Sequence, residues 1–165
     1  METYREGAGR PTESVWDYPR PPRVESDPRH VVVAHGGIRV ADTRRALRVL
    51  ETSHPPVFYV PRDDTLSELF VRSGSTTWCE WKGVATYWDL LVPGAARSAD
   101  AAWSYEAPLP GFASITGCVA FYPSRVSGCW VDGELVSGQP GDFYGGWITS
   151  EIVGPFKGGP GSQGW

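Results

Sequence analysis

VVVAHGGIRVAD, residues 31–42, sets two apolar-rich runs on either side of Gly36-Gly37, a dipeptide able to supply the positive φ of a two-residue hairpin. The same grammar returns near the other end of the chain at CWVDGELV, residues 129–136, around Asp132-Gly133. Between them lie ALRVLE, VFYVP, VATYWDLLV, AAWSYEAP and ITGCVAFYP, short runs rich in β-branched and aromatic residues and separated by turn formers. Strands at this spacing predict a mainly β, antiparallel domain of sandwich, barrel or two-sheet type. One short α-helix is expected at DDTLSELF, where Thr65 and Glu68 have capping-box spacing ahead of Leu69 and Phe70.

Composition agrees with that reading. The 165 residues include 20 Gly, 15 Pro, 8 Trp, 7 Tyr and 6 Phe, a balance of strands and turns with little helical periodicity. A net charge of -4 with scattered Lys and Arg gives no footprint for a phosphate backbone, so no nucleic-acid partner is expected. No apolar run approaches the ~20 residues of a membrane helix, and METYREGAGRPTES lacks an apolar leader, so no membrane association and a cytoplasmic location are expected. Cys79, Cys118 and Cys129 are odd in number and widely spaced, which fits reduced thiols. No spacing requires a metal or a cofactor.

Three segments are expected. Residues 1–30 form a Pro-rich arm, ESVWDYPRPPRVESDPRH, whose prolines forbid helix and whose Trp16 and Tyr18 are candidate anchors. Residues 31–136 form the β core. Residues 137–165 form a Gly- and aromatic-rich arm whose Trp147, Ile148 and Phe156 call for packing on the core.

WKGVATYW (81–88), AAWSYEAP (101–108) and ITGCVAFYP (115–123), with the Gly36-Gly37 hairpin and a C-E-W-K-G lead-in, resemble the bacterial and fungal family called domain of unknown function 427. The outer VWDYPRPP and FYGGW segments resemble its longer form. The resemblance implies a compact, mainly β domain, built like the two-sheet β-tent folds, with no established substrate. It also brings a nucleotidyltransferase label, which needs acidic residues on alternate strand positions facing two metal ions. Asp63-Asp64 are adjacent and diverge on a strand, while Asp132-x-Glu134 straddles a turn, so the residues lend the label little support.

The candidate chemistry lies elsewhere. TTWCEWKG is read as a polar lead-in that bends at Gly83 into the strand VATYW, and the bend decides whether Lys82 joins Cys79. If they join, Cys79 is a candidate nucleophile, Lys82 an electrostatic stabiliser, and Glu51 or His54 a proton-transfer group. The plainer alternatives are a buried inert thiol, a solvated lysine and a surface-loop histidine. His30 and His35 receive no role. Tyr59, Trp81, Tyr87, Trp103 and Tyr105 are candidate ligand-binding rings, because a ring-lined cleft with a few convergent polar groups is the usual form of a small-molecule site. Tyr87 and Trp88 must point to opposite faces of their strand, and Trp103 and Tyr105 to one.

The leading expectation is therefore a small-molecule ligand in an aromatic pocket, in a protein that is either an enzyme of acyl or group transfer or a non-catalytic ligand-binding or sensor domain. An interaction module built on the two arms is the remaining alternative. Oligomeric state, monomer or small homo-oligomer, stays open.

Overall fold

The computed structural model describes residues 10–165. The start of the Pro-rich arm, residues 1–9, lies outside the described residues. In chain order the strands are β1 (Glu13–Ser14), β2 (Arg23–Asp27), β3 (Val31–His35), β4 (Ile38–Thr43), β5 (Ala46–Leu50), β6 (Val57–Tyr59), β7 (Phe70–Cys79), β8 (Gly83–Leu90), β9 (Ser98–Ser104), β10 (Val119–Phe121), β11 (Gly128–Val131), β12 (Glu134–Leu135), β13 (Ser137–Gly138), β14 (Trp147–Ile148) and β15 (Ile152–Val153).

Both hairpins read from the turn dipeptides form. β3 and β4 pair antiparallel through Gly36 and Gly37 at φ +59° and +82°, and β11 and β12 pair through Asp132 and Gly133 at +48° and +81°. Positive φ at both central residues matches the right-handed twist of the flanking strands. These strands make one sheet in the order β12-β11-β3-β4.

A second sheet runs β10-β9-β8-β7 and a third β2-β5-β6. Val60 and Val119 exchange main-chain hydrogen bonds of 2.8 Å, which carries the third sheet across to the edge of the second. The joined surface has two faces. Phe58, Val60, Leu90, Val119 and Phe121 point toward Val31, Val33 and Val131 of the β12-β11-β3-β4 sheet and close a dry core that includes the fully buried Trp147. Tyr59, Ala85, Tyr87, Trp103, Ala120 and Tyr122 point the other way. The fold is mainly β and antiparallel, in several sheets with no closed barrel.

The helical segment expected at DDTLSELF is present in tighter form, as single 3-10 turns at Arg62–Asp64 and Ser67–Leu69. Thr65 is extended there, with its hydroxyl donating to the Arg62 carbonyl at 2.7 Å. The Leu66 N–H goes to the Val40 carbonyl of β4 at 2.9 Å. The segment closes as a 3-10 turn, with the Leu69 N–H on the Leu66 carbonyl at 3.0 Å and the Phe70 N–H on that of Ser67, because Phe70 already enters β7 opposite Leu90.

Both arms are ordered where described. β1 pairs in parallel with β15, so the N-terminal segment lies beside the C-terminal one. Trp16 sets its ring edge-to-face against Trp165 at 5.2 Å and donates Nε1–H to the Pro155 carbonyl at 2.8 Å; Tyr18 is buried and donates to Glu13 at 2.6 Å. Beneath them Arg48, 1 % exposed, reaches Glu13 at 3.1 Å, Asp27 at 3.4 Å and Glu25. Arg29 joins Asp27 at 2.7 Å to Glu151 at 2.9 Å. Burial opposes charge on Asp27, but the hydrogen bonds and charge of Arg29 outweigh it and hold the carboxyl below its ordinary range. Among the described residues no helix is long and apolar enough to cross a membrane.

Candidate functional site

Period-two alternation builds the site. On β6, Phe58 enters the dry core while Tyr59 turns to the opposite face; on β8, Tyr87 and Trp88 divide the same way. Trp103 from β9 and Tyr105 just beyond it face with Tyr59 and Tyr87, as period two required. The rings pair at ordinary aromatic distances: Tyr59 lies 6.4 Å from both Trp103 and Tyr105, Tyr87 lies 6.4 Å from Trp103, and Trp103 lies 4.6 Å from Tyr122. The space between and above them is a cavity of about 290 Å³.

All the residues nominated from the sequence line this cavity: Glu51, His54, Tyr59, Cys79, Trp81, Lys82, Tyr87, Trp103 and Tyr105. They come from segments far apart in the chain, so the convergence is a property of the fold. The expected bend near Gly83 turns out to be a hairpin. TTWC is not a separate lead-in but the end of β7; Cys79 pairs with Gly83, and Glu80, Trp81 and Lys82 form the loop between them. Gly83 sits at φ +103°, a conformation strained for any side chain. On a continued strand Cys79 and Lys82 would face apart, whereas the loop brings both to the cavity wall.

Lys82 is 9 % exposed and has no carboxylate within 4.0 Å among the described residues. Its ammonium lies 5.6 Å above the Tyr105 ring and 5.8 Å from that of Phe112, a cation–π setting. The Tyr105 hydroxyl has no hydrogen-bond partner among the described residues, whereas that of Tyr59 accepts from Trp103 Nε1 at 3.3 Å. Burial pushes both phenols well above their ordinary range and keeps them neutral.

His54 is positioned by a residue the sequence reading missed. Gln139 Oε1 accepts the Gly146 N–H at 3.0 Å, and this fixes which end of the amide is the oxygen. Gln139 Nε2 then donates to the Lys157 carbonyl at 2.9 Å and to His54 Nδ1 at 3.0 Å. Nδ1 is thus an acceptor, and the neutral imidazole carries its proton on Nε2. Burial, with the charges of Lys157, Arg20 and Lys82, lowers the His54 pKa to about 4. A ring with that pKa and an engaged Nδ1 is a hydrogen-bond donor into the site at neutral pH, not the expected general base. Glu51, the other proton-transfer candidate, stands 3.9 Å from His54 Nε2 and 3.5 Å from Arg20.

Gln139, Phe143, Tyr144, Gly145 and Lys157 complete the wall from the C-terminal arm. Only the FYGGW segment, quoted for its aromatics, hinted at them; nothing local in a Gly-rich loop reveals the wall it will face. Cys118 and Cys129 are buried free thiols, as core residues would be, and burial raises the pKa of each. Three of the four residues in the acidic pairs have other partners. Asp64 accepts from Thr43 and Arg45, Asp132 from the His30 N–H, and Glu134 from Ser150. None of Asp63, Asp64, Asp132 or Glu134 lines the cavity.

The sequence profile described as a domain of unknown function, DUF427, matches residues 23–132. The chain belongs to the DUF427 family. That match contains β2 through β11, hence the ring-lined face and the Cys79–Lys82 hairpin. The DUF427 match stops short of Gln139, Phe143, Tyr144 and Lys157, so this chain completes its cavity with residues outside the matched region. No curated protein gives a significant match to the chain.

Proposed function

We propose that the protein binds a small organic molecule in the aromatic cavity. The observation that carries this reading is the convergence of Tyr59, Tyr87, Trp103 and Tyr105 with His54, Cys79 and Lys82 on one cavity of about 290 Å³. Small-molecule sites combine mostly apolar walls with a few polar groups that orient the ligand. The rings supply the walls, and the His54 Nε2–H, the Tyr105 hydroxyl and the Lys82 ammonium supply the polar groups. A thermal-shift screen against a metabolite panel tests it. Hits should quench tryptophan fluorescence and be lost in Gly145→Val, since a side chain there meets the Trp103 ring, whose nearest carbon would lie 2.2 Å from an added Cβ. No hit, or hits indifferent to that substitution, defeats the reading.

Catalysis by acyl or group transfer is the second reading, favoured by Cys79 and Lys82 lining the same cavity. Cys79 is then the nucleophile and Lys82 steadies the charge that develops on the substrate. Binding stands first because His54 offers Cys79 no accepting nitrogen. Iodoacetamide labelling of the folded protein across pH 6 to 9 separates the two readings: a Cys79 that reacts no faster than a free thiol removes the nucleophile.

A further inference from the structure

Lys82, only 9 % exposed as a residue, sets its ammonium without a carboxylate partner against two ring faces on the cavity wall. Burying a charge without a partner is costly, and proteins retain such an arrangement where something else supplies the opposite charge. Lys157 also lines the cavity, 5.7 Å from the Tyr144 ring, with Nζ donating to an oxygen of the terminal carboxylate on Trp165 at 3.2 Å. The fields of Lys157 and Lys82 both reach His54, which contributes an N–H donor and no negative charge. Two carboxylates border the same space. Glu51 is paired with Arg20 at 3.5 Å, and Glu80 is exposed to water with no cation within 4.0 Å among the described residues. Neither neutralises the buried ammonium.

We propose that the ligand is a small organic anion: a flat ring body held among Tyr59, Tyr87, Trp103 and Tyr105, with its carboxylate or phosphate group bound by Lys82 and Lys157. The proposal rests on the cavity being a ligand site and adds the charge of what it takes. At about 290 Å³ the cavity lies at the lower end of the ~300–1,000 Å³ range of small-molecule sites, which suits one or two rings rather than a dinucleotide. The anion would supply the counter-charge that the fold withholds from Lys82, while ring stacking supplies the apolar contact area.

Titration of the full chain with benzoate, phenyl phosphate and benzamide, followed by tryptophan fluorescence, tests the inference. At least one of the two anions should bind about tenfold or more tightly than the isosteric neutral benzamide, because hydrogen bonds to charged groups outweigh neutral ones. Benzoate ahead of phenyl phosphate assigns a carboxylate ligand; the reverse assigns a phosphate ester. Lys82→Gln should weaken the preferred anion about tenfold and leave benzamide unchanged, and Lys82→Arg should retain most of the anion affinity. Benzamide binding as tightly as both anions, or anion affinity unmoved in Lys82→Gln, overturns the anion proposal and leaves the cavity as a site for neutral ligands. Failure of all the probes to perturb the fluorescence overturns the ligand-site reading as well. The ligand-free melting temperature guards against a folding artefact. It should hold or rise in Lys82→Met, which removes an uncompensated charge at similar volume. A fall that Lys82→Arg restores without ligand would mark a purely structural cation and overturn the proposal.

Discussion

Phe58 and Tyr59 are neighbours on one short strand, yet they belong to different environments. Phe58 stacks on Trp147 with centroids 4.9 Å apart and planes 20° apart, and the indole N–H is satisfied by the Phe121 carbonyl at 3.0 Å. Tyr59 faces Trp103 at 6.4 Å and 85°, with open volume beside it. The same division runs through β8, with Tyr87 on the open face and Trp88 on the closed one, and through Phe121 and Tyr122 beyond β10. Hydrocarbon rings dominate the face that must exclude water, and hydroxylated rings the face that leaves a gap. Close packing gives the first face its stability; the second borders a cavity of about 290 Å³.

Truncation should separate the two faces most sharply. Trp147→Ala removes a fully buried ring and strands the Phe121 carbonyl, and a loss of about 3–5 kcal/mol in urea unfolding is expected. Trp103→Ala, beside existing empty volume, should cost at least ~1 kcal/mol less. Equal losses would mean that both faces are core and that the cavity is only a packing defect. A smaller effect comes from filling the gap. Gly145→Val drives its side chain into the Trp103 ring and should cost about 1–3 kcal/mol as an overpacking change while abolishing ligand binding.

The faces also differ in how their polar groups respond to acid. His54 has a folded pKa of about 4 against 6.5 for the free side chain. Between those values the unfolded chain binds the proton and the folded one does not. Stability is therefore full above about pH 6.5 and should fall by up to ~1.4 kcal/mol per pH unit as pH drops toward 4. His54→Asn should flatten that slope in chemical denaturation between pH 6.5 and 5. The window is chosen to avoid Glu13 and Asp27, whose folded pKa values are lowered from 4.5 and 3.8, so that their contribution is lost only below those values. An unchanged slope in the variant would show that burial and the charges of Lys157, Arg20 and Lys82 do not hold the ring neutral.

Much of this was legible from period and turn chemistry. The Gly36-Gly37 and Asp132-Gly133 turns fix their hairpins locally, and alternation alone separates Tyr87 from Trp88. The helical reading at Thr65 and Glu68 was only partly met because Phe70 is drawn into β7 opposite Leu90, a tertiary pairing that no local window contains. Cys79 and Lys82 came together for a reason different from the one expected: not a bulge within a strand but the end of one. Gln139 and Lys157 were invisible, since a loop's partners are set by where the sheets beneath it lead the chain. The protonation of His54 followed them out of sight, because Gln139 decides it.

The finest comparison lies within the open face. The Tyr59 hydroxyl accepts from the buried Trp103 Nε1, so Tyr59→Phe leaves an indole N–H without its partner and should cost about 1 kcal/mol or more. The Tyr105 ring is only 5 % exposed, yet its hydroxyl has no partner among the described residues. Tyr105→Phe removes a polar atom that the ligand-free fold does not use, and its stability should stay within ~0.5 kcal/mol of the parent. Binding should rank the pair in reverse, with Tyr105→Phe losing affinity for any ligand that accepts the free hydroxyl and Tyr59→Phe retaining most of it. Thermal denaturation and the fluorescence titration, run on both variants, measure the two rankings. If Tyr105→Phe were the less stable and the tighter binder, its hydroxyl would belong to the structural network, and the polar face of the cavity would reduce to His54 and the lysines.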